Sequence, residues 1–346
     1  MNLARLLLDH PFGDDEGLLH TAERAVTAGE AKAAAHRVAA ELGALDGTAV
    51  AVELPNGPEL VSTMVGVWLA GGVYVPVNPR LPVAERELLW RAIHPSAAIT
   101  ERGVEQVSGG AERYDSDVAF VMWTSGTTGT PKPIRHTHTA YVELLDRVLG
   151  PLRAGSDPAK RPPPNLIPVS MALNAGLYNV LFGLRAGAAL VIMDRFEPES
   201  FANLVRRFEI RSTVLPPAAL AMLTDSAVTD LGPLKYVRSI TAPLSPLQAQ
   251  RFTAKFPVYV MNGYGQVEIG EVIGWTAADA KTHPEKVGAI GKPHPGVDVR
   301  IDTDGRLLVR PPNTATGLDD RVDADGFVDT GDLARIDEDG FVWIEG

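Results

Sequence analysis

The chain contains no cysteine. That excludes disulfides, cysteine-ligated zinc and a cysteine nucleophile from these residues. Any thioester chemistry must therefore end on a thiol that a partner supplies. Long apolar runs are lacking as well. The longest, such as residues 188–193, fall far short of the roughly 20 residues that a membrane-spanning helix needs. A basic excess is also missing, since 43 acidic residues against 32 Lys and Arg give a formal net charge of -11. Sequence-independent nucleic-acid binding needs a basic surface and is disfavoured. An acidic total still permits binding of a small phosphorylated molecule, because converging backbone N–H groups and one lysine suffice locally. Residues 1–10 hold one arginine and a short apolar patch without a cleavage-type region. They read as a first helix and not a signal peptide, with the cytoplasm as the expected compartment.

What is present suits a globular protein. Hydrophobic residues make up 45% and charged ones 22% of 346 positions, enough for two or three units with a sizeable core. Residues 20–45 carry Ala, Val and Leu at helical spacing, with Gly43 as a stop. A β-branched run at 48–54 ends in Pro55-Asn56-Gly57, a strand and a turn. Helices at 59–70 and 82–93 then alternate with strands at 73–77 and 97–100. Further strands are predicted at 166–169, 188–193, 212–215, 236–241 and 258–261, and residues 153–164 read as a surface loop. This rhythm predicts an α/β protein with parallel sheets covered by helices.

The last sixty residues differ. Asp302-Thr303-Asp304-Gly305, Asp323-Ala324-Asp325-Gly326 and Asp337-Glu338-Asp339-Gly340 each precede an apolar run. They read as hairpin turns in which both residues of Asp-Gly tolerate positive φ. An EF-hand reading fails on ligand spacing, because Arg321 occupies the first position before Asp323 and no glutamate follows at the required distance. The expected organisation is two related α/β subdomains, 1–165 and 166–285, and a small antiparallel β region at 286–346.

The most informative string is Trp123-Thr124-Ser125-Gly126-Thr127-Thr128-Gly129-Thr130-Pro131-Lys132. It follows an apolar strand at 118–122 and precedes a helical pattern beginning near His138. Glycines and small hydroxylated residues let successive N–H groups converge on an anion, while Lys132 adds a mobile positive charge. The spacing is not that of a Walker loop, because Gly129 is followed by Thr-Pro-Lys.

This string resembles the phosphate-binding signature of the adenylate-forming superfamily, which includes acyl-CoA ligases, aryl-acid ligases, peptide-synthetase adenylation domains and luciferase. Four further segments resemble that family in order. They are Ala70-Gly71-Gly72-Val73-Tyr74-Val75-Pro76-Val77-Asn78-Pro79, Asn262-Gly263-Tyr264-Gly265-Gln266-Val267-Glu268, Gly288-Ala289-Ile290-Gly291-Lys292-Pro293 and Thr330-Gly331-Asp332. The resemblance implies ATP and Mg²⁺ as cofactors. Thr124, Ser125, Gly126, Thr127, Thr128, Gly129 and Lys132 would hold the phosphates. Tyr264 would stack on adenine and Asn262 would read its amine, with Gly263, Gly265, Ala242 and Pro243 around the base. Asp332 would accept the ribose hydroxyls, and Glu268 with Thr128 would hold the metal. Thr128, Lys132 and Glu268 form the implied catalytic set. The reaction implied is activation of a small carboxylic acid as its acyl-adenylate, then transfer to coenzyme A or to a carrier protein's phosphopantetheine.

Three departures qualify the resemblance. Val267 stands where the family usually has a threonine that bonds the α-phosphate, and losing one such donor can cost roughly 10²–10³ in rate. Thr241-Ala242-Pro243 replaces a glycine-rich turn beside the base. The sequence stops at Gly346, where the family's hinge begins, so the C-terminal lobe and its lysine are expected in a longer parent and this chain alone is expected to adenylate weakly.

The acid is approached through Pro168-Val169-Ser170-Met171-Ala172-Leu173-Asn174-Ala175-Gly176-Leu177. It lacks the aspartate that peptide-synthetase domains use for an α-ammonium, and it resembles the corresponding segment of aryl-acid ligases. Asn174 would bond a ring substituent or the carboxylate, unless it only caps a helix. Met171, Leu173, Tyr178 and Gly265 would complete the pocket. The favoured acid is an aryl, hydroxybenzoate-type one. A medium- or long-chain fatty acid, or a non-catalytic acyl-adenylate or ATP binder, is the alternative. His136 and His138 invite a metal, but their place after the phosphate loop favours a structural role.

Overall fold

A computed structural model describes residues 1–124, 132–154, 157, 160–266, 269–312 and 321–346, with the backbone alone at 124, 151, 152 and 154. The chain forms two compact units, Met1–Arg195 and Phe196–Gly346.

The first unit holds a six-stranded sheet in the order Gly103–Gln106, Ala97–Thr100, Ala49–Glu53, Val73–Pro76, Val118–Thr124, Lys132–Thr137. Its inner strands run parallel and both outer pairs are antiparallel. Ala49–Glu53 and Val73–Pro76 are buried along their whole length, which is why they read as unbroken apolar runs. Helix Ala28–Leu42 opens on a capping box between Thr27 and Glu30 and ends at Gly43, whose φ is 70°. It packs closely on helix Pro58–Leu69, where a Cβ on Gly66 would lie 2.6 Å from that of Val38.

A smaller four-stranded sheet places Asn165–Ile167 beside Leu190–Ile192, which pairs in turn with Gly17–His20. Both Asn165–Ile167 and Leu190–Ile192 thus belong to the unit Met1–Arg195. Strand order cannot be read locally, so the sequence did not reveal that Leu190–Ile192 returns to a partner near the N-terminus.

The second unit carries a five-stranded sheet, Ser212–Val214, Tyr236–Ser239, Tyr259–Gln266, Gly270–Gly274 and Lys292–Pro293, parallel over its first three strands. An antiparallel sheet follows, from Asp298–Ile301 through Arg306–Arg310 and Val328–Ile336 to Val342–Ile344. The three acidic repeats form matching turns. Gly305, Gly326 and Gly340 donate to the carbonyls of Asp302, Asp323 and Asp337 at 3.0–3.2 Å. Oδ1 of each of those aspartates also accepts two backbone N–H bonds within its turn, at 2.8–3.0 Å. Only the glycines take positive φ, 81–83°, and the preceding aspartates do not. The turn therefore needs one left-handed residue, and not the pair expected for Asp-Gly.

One other local expectation changes and one holds. Residues 20–45 are not one helix, because strand Ala25–Thr27 precedes Ala28. The helix after the phosphate-loop string begins at His138, as its pattern indicates, and strand Lys132–Thr137 precedes it. Among the described residues, no helix is long and apolar enough to cross a membrane.

Candidate functional site

In the first unit, Val118–Thr124 and Lys132–Thr137 form an antiparallel hairpin whose last pair is Thr124 with Lys132. Both ends of the phosphate string are thus pinned across one ladder, and Lys132 is exposed. Ser125, Gly126, Thr127, Thr128 and Gly129 lie outside the described residues. Just below, His136 stacks on Phe120 at 4.7 Å, and its Nε2 is buried without a partner among the described residues. His138 Nδ1 accepts the backbone N–H of Leu3 at 3.1 Å and packs edge-on to Trp68. Burial lowers both imidazoles to about 4. The two histidines therefore sit in separate packing environments, as core groups.

The acid segment is held by a residue that the sequence marked only as a turn. Asn56 Oδ1 accepts from Met171 N at 2.8 Å, and its Nδ2 donates to the carbonyls of Val169 and Met193 at 2.8 and 3.0 Å. Met171 is fully buried, whereas Leu173 is 54% exposed. Leu173 is the N-cap residue of helix Asn174–Ala186, and no side chain caps that helix. Asn174 is thus not the cap, and its Oδ1 is buried with no hydrogen-bond partner among the described residues. Tyr178, one turn later, stacks with Phe182 at 5.9 Å. A Cβ on Gly176 would fall 2.1 Å from Ser170 O, so only glycine lets this loop lie against the helix.

In the second unit, Tyr259–Gln266 runs as a strand through the Asn-Gly-Tyr-Gly motif. Alternation puts Asn262 and Tyr264 on one face and Gly263 on the other. Asn262 is buried, and its Oδ1 accepts from Gly263 N at 3.1 Å. Tyr264 Oη donates to Asp332 Oδ2, joining the two motifs directly. Burial first, and the bond to Asp332 second, push the phenol well above its usual range, so it stays a donor. Gln266 Nε2 donates to Thr330 O at 2.8 Å and to Tyr264 Oη at 3.4 Å, while Arg321 donates to Gln266 Oε1 at 2.7 Å. Thr330 Oγ1 accepts from Asp332 N at 3.2 Å and donates to Leu307 O at 2.8 Å. Gln266 and Arg321 join the hydrogen-bonded group around Tyr264 and Asp332, and sequence reading gave neither a role, since neither type nor spacing distinguished them.

Gly265 is the point of closest backbone approach. A Cβ there would lie 2.0 Å from Gly270 O. Ala242 and Pro243 are exposed. Thr241, before them, has a φ of 81°, a conformation that glycine adopts without steric cost. Val267 and Glu268 lie outside the described residues. Glu268 and Thr128, the implied metal ligands, thus both lie outside the described residues. Among the described residues, no group of three or more His, Asp or Glu could hold a metal ion.

The sequence matches the AMP-binding enzyme family over residues 11–115 and 110–318. It is 27% identical to 4-coumarate--CoA ligase 5 of Oryza sativa subsp. japonica over 380 residues, covering 91% of this chain and 70% of that one. Against 4-coumarate-CoA ligase 2 of Narcissus pseudonarcissus it is 29% identical over 298 residues, 76% of this chain but only 51% of the relative. The fold matches the amide bond synthetase McbA from Marinactinospora thermotolerans with a TM-score of 0.84 at 24% identity, covering all of this chain and 79% of that one.

Proposed function

The chain belongs to the AMP-binding enzyme family, and on that premise we propose that it binds ATP and a carboxylic acid for formation of an acyl-adenylate. The carboxylate attacks the α-phosphorus, the bond to the pyrophosphate oxygen breaks, and pyrophosphate leaves. Transfer of the acyl group to the thiol of coenzyme A or of a carrier protein's phosphopantetheine completes the reaction. The work is positioning and charge stabilisation. Lys132 meets the phosphates, Tyr264 stacks on the base, and Asp332 accepts ribose hydroxyls. Mg²⁺, held by Glu268 and Thr128, would offset phosphate charge.

The observation that carries this reading is the bond from Tyr264 to Asp332. It links the base residue and the ribose residue, 68 positions apart, through one carboxylate that keeps a second oxygen for sugar hydroxyls. For the acid, an aryl group with a polar substituent is supported by Asn174, whose buried Oδ1 lacks a partner among the described residues and would gain one from a ring hydroxyl. The 4-coumarate ligases among the relatives act on an aryl acid by name, which points the same way.

The test is ligand-induced stabilisation of the chain by hydroxybenzoyl-adenosine sulfamate, a hydrolysis-resistant acyl-adenylate mimic. At a hundred times its dissociation constant, it should add about 2.7 kcal/mol. A midpoint unmoved by that compound and by ATP would remove the reading.

A further inference from the structure

Arg238, Glu271 and His294 form an ionic cluster on the five-stranded sheet of the second unit. Arg238 Nη1 donates to Glu271 Oε1 at 2.7 Å, and His294 Nε2 lies 3.3 Å from the same oxygen. The strand between Arg238 and Glu271 offers no side chain in this lane, for a Cβ on Gly263 would sit 2.8 Å from Glu271 Oε1. Gly274 leaves a matching gap, 2.8 Å from Oε1 and 2.9 Å from His294 Cε1. Arg238 is level with Met261 in the parallel register, so it shares the Gly263 face and not that of Asn262 and Tyr264. Burial raises the Glu271 carboxyl, but Arg238 and His294 together outweigh it and hold the group below its ordinary range.

A fold-stabilising ion pair is the plainest reading of such a cluster. Two observations go beyond it. The side chains of Arg238, Glu271 and His294 remain 30%, 21% and 24% exposed, so a ligand can reach them. Glu271 is also the cross-strand partner of Gly265, the residue assigned to the acid pocket in this unit. An alkyl chain laid against this cluster strips its water and returns no hydrogen bonds. An acyl group with its own hydroxyl, amide or second carboxyl replaces the lost water contacts.

We infer that the Arg238–Glu271–His294 cluster is a specificity element that favours acids bearing a hydrogen-bonding substituent and rejects long alkyl acids. The inference rests on the acid-activation reading and deepens it by naming the class of acid.

The 346-residue chain is titrated calorimetrically with three adenosine sulfamates, one carboxybenzoyl, one dodecanoyl and one unacylated. The carboxybenzoyl compound should bind at least about tenfold tighter than the dodecanoyl one. That ratio should vanish or reverse in R238M/E271L. In Glu271→Gln, which keeps the shape and so stands in if the double variant does not fold, it should drop at least about threefold. If the dodecanoyl compound binds equally well, or the ratio survives in the variants that fold, the inference is overturned while binding of the unacylated compound leaves the nucleotide site standing. Failure of all three compounds overturns the acid-activation reading and this inference together.

Discussion

Tyr264 donates its phenolic hydrogen to Asp332, so the residue proposed for adenine and the residue proposed for ribose hold each other in place. Thr330 and Gln266 set the approach from either side. The pair predicts separable effects. Tyr264→Phe keeps the ring and should weaken AMP binding by less than about threefold, whereas Asp332→Asn should weaken it by at least about tenfold, since bonds to a charged acceptor contribute about 1.5–3 kcal/mol. Titration calorimetry with AMP decides it. Wild-type affinity in Asp332→Asn would remove the ribose assignment.

Thr241 predicts a gain in stability. Its φ of 81° places a β-branched residue in the left-handed region, at a strain of about 1–3 kcal/mol. Glycine relieves that strain but loses about 0.5–1 kcal/mol through the freedom of the unfolded chain. Thr241→Gly should therefore stabilise by about 1 kcal/mol, seen as a higher urea midpoint at unchanged m-value. A lower midpoint would show that the side chain makes a contact worth more than the strain.

Three histidines with desolvated imidazoles predict the acid limb of the stability curve. His10, His136 and His138 are each lowered from 6.5 to about 4, with burial as the main cause. The unfolded chain takes up these protons first. The contribution is complete above about pH 6.5 and is lost as pH falls from there to about 4, by at most about 3 kcal/mol per imidazole. Protonating His138 at Nδ1 would also break its bond from Leu3 N. Urea unfolding at pH 7.5 and pH 5 should show the loss, and His136→Leu should reduce it by roughly a third on equal partition. An identical pH dependence in that variant would mean His136 does not titrate in this window.

Some elements could be read directly and others could not. Ala49–Glu53 and Val73–Pro76 were legible because strands buried on both faces are continuously apolar. Gly43 was legible as a helix stop because its positive φ favours glycine. Lys132–Thr137 was not, since Pro133 and Arg135 break the apolar pattern and one inward group is His136, which does not count as hydrophobic. Tyr259–Gln266 was cut short for a related reason, because two glycines in its motif suggest a loop until the neighbouring strand is seen pressing on Gly265.

The sequence by itself determined the kind of protein this is. Its ordered motifs identify the family, its alternating patterns specify an α/β core, and its lack of cysteine excludes a thiol from these residues. Only the tertiary structure decided which residues act together. The Asn56 staple on Met171, the bond from Tyr264 to Asp332, and Arg238 reaching Glu271 past Gly263 each join groups 33 to 115 positions apart. Local pattern encodes burial and backbone propensity, which are properties of single positions and near neighbours. A hydrogen bond between distant side chains depends on strand order and register, and those are settled only when the sheets assemble.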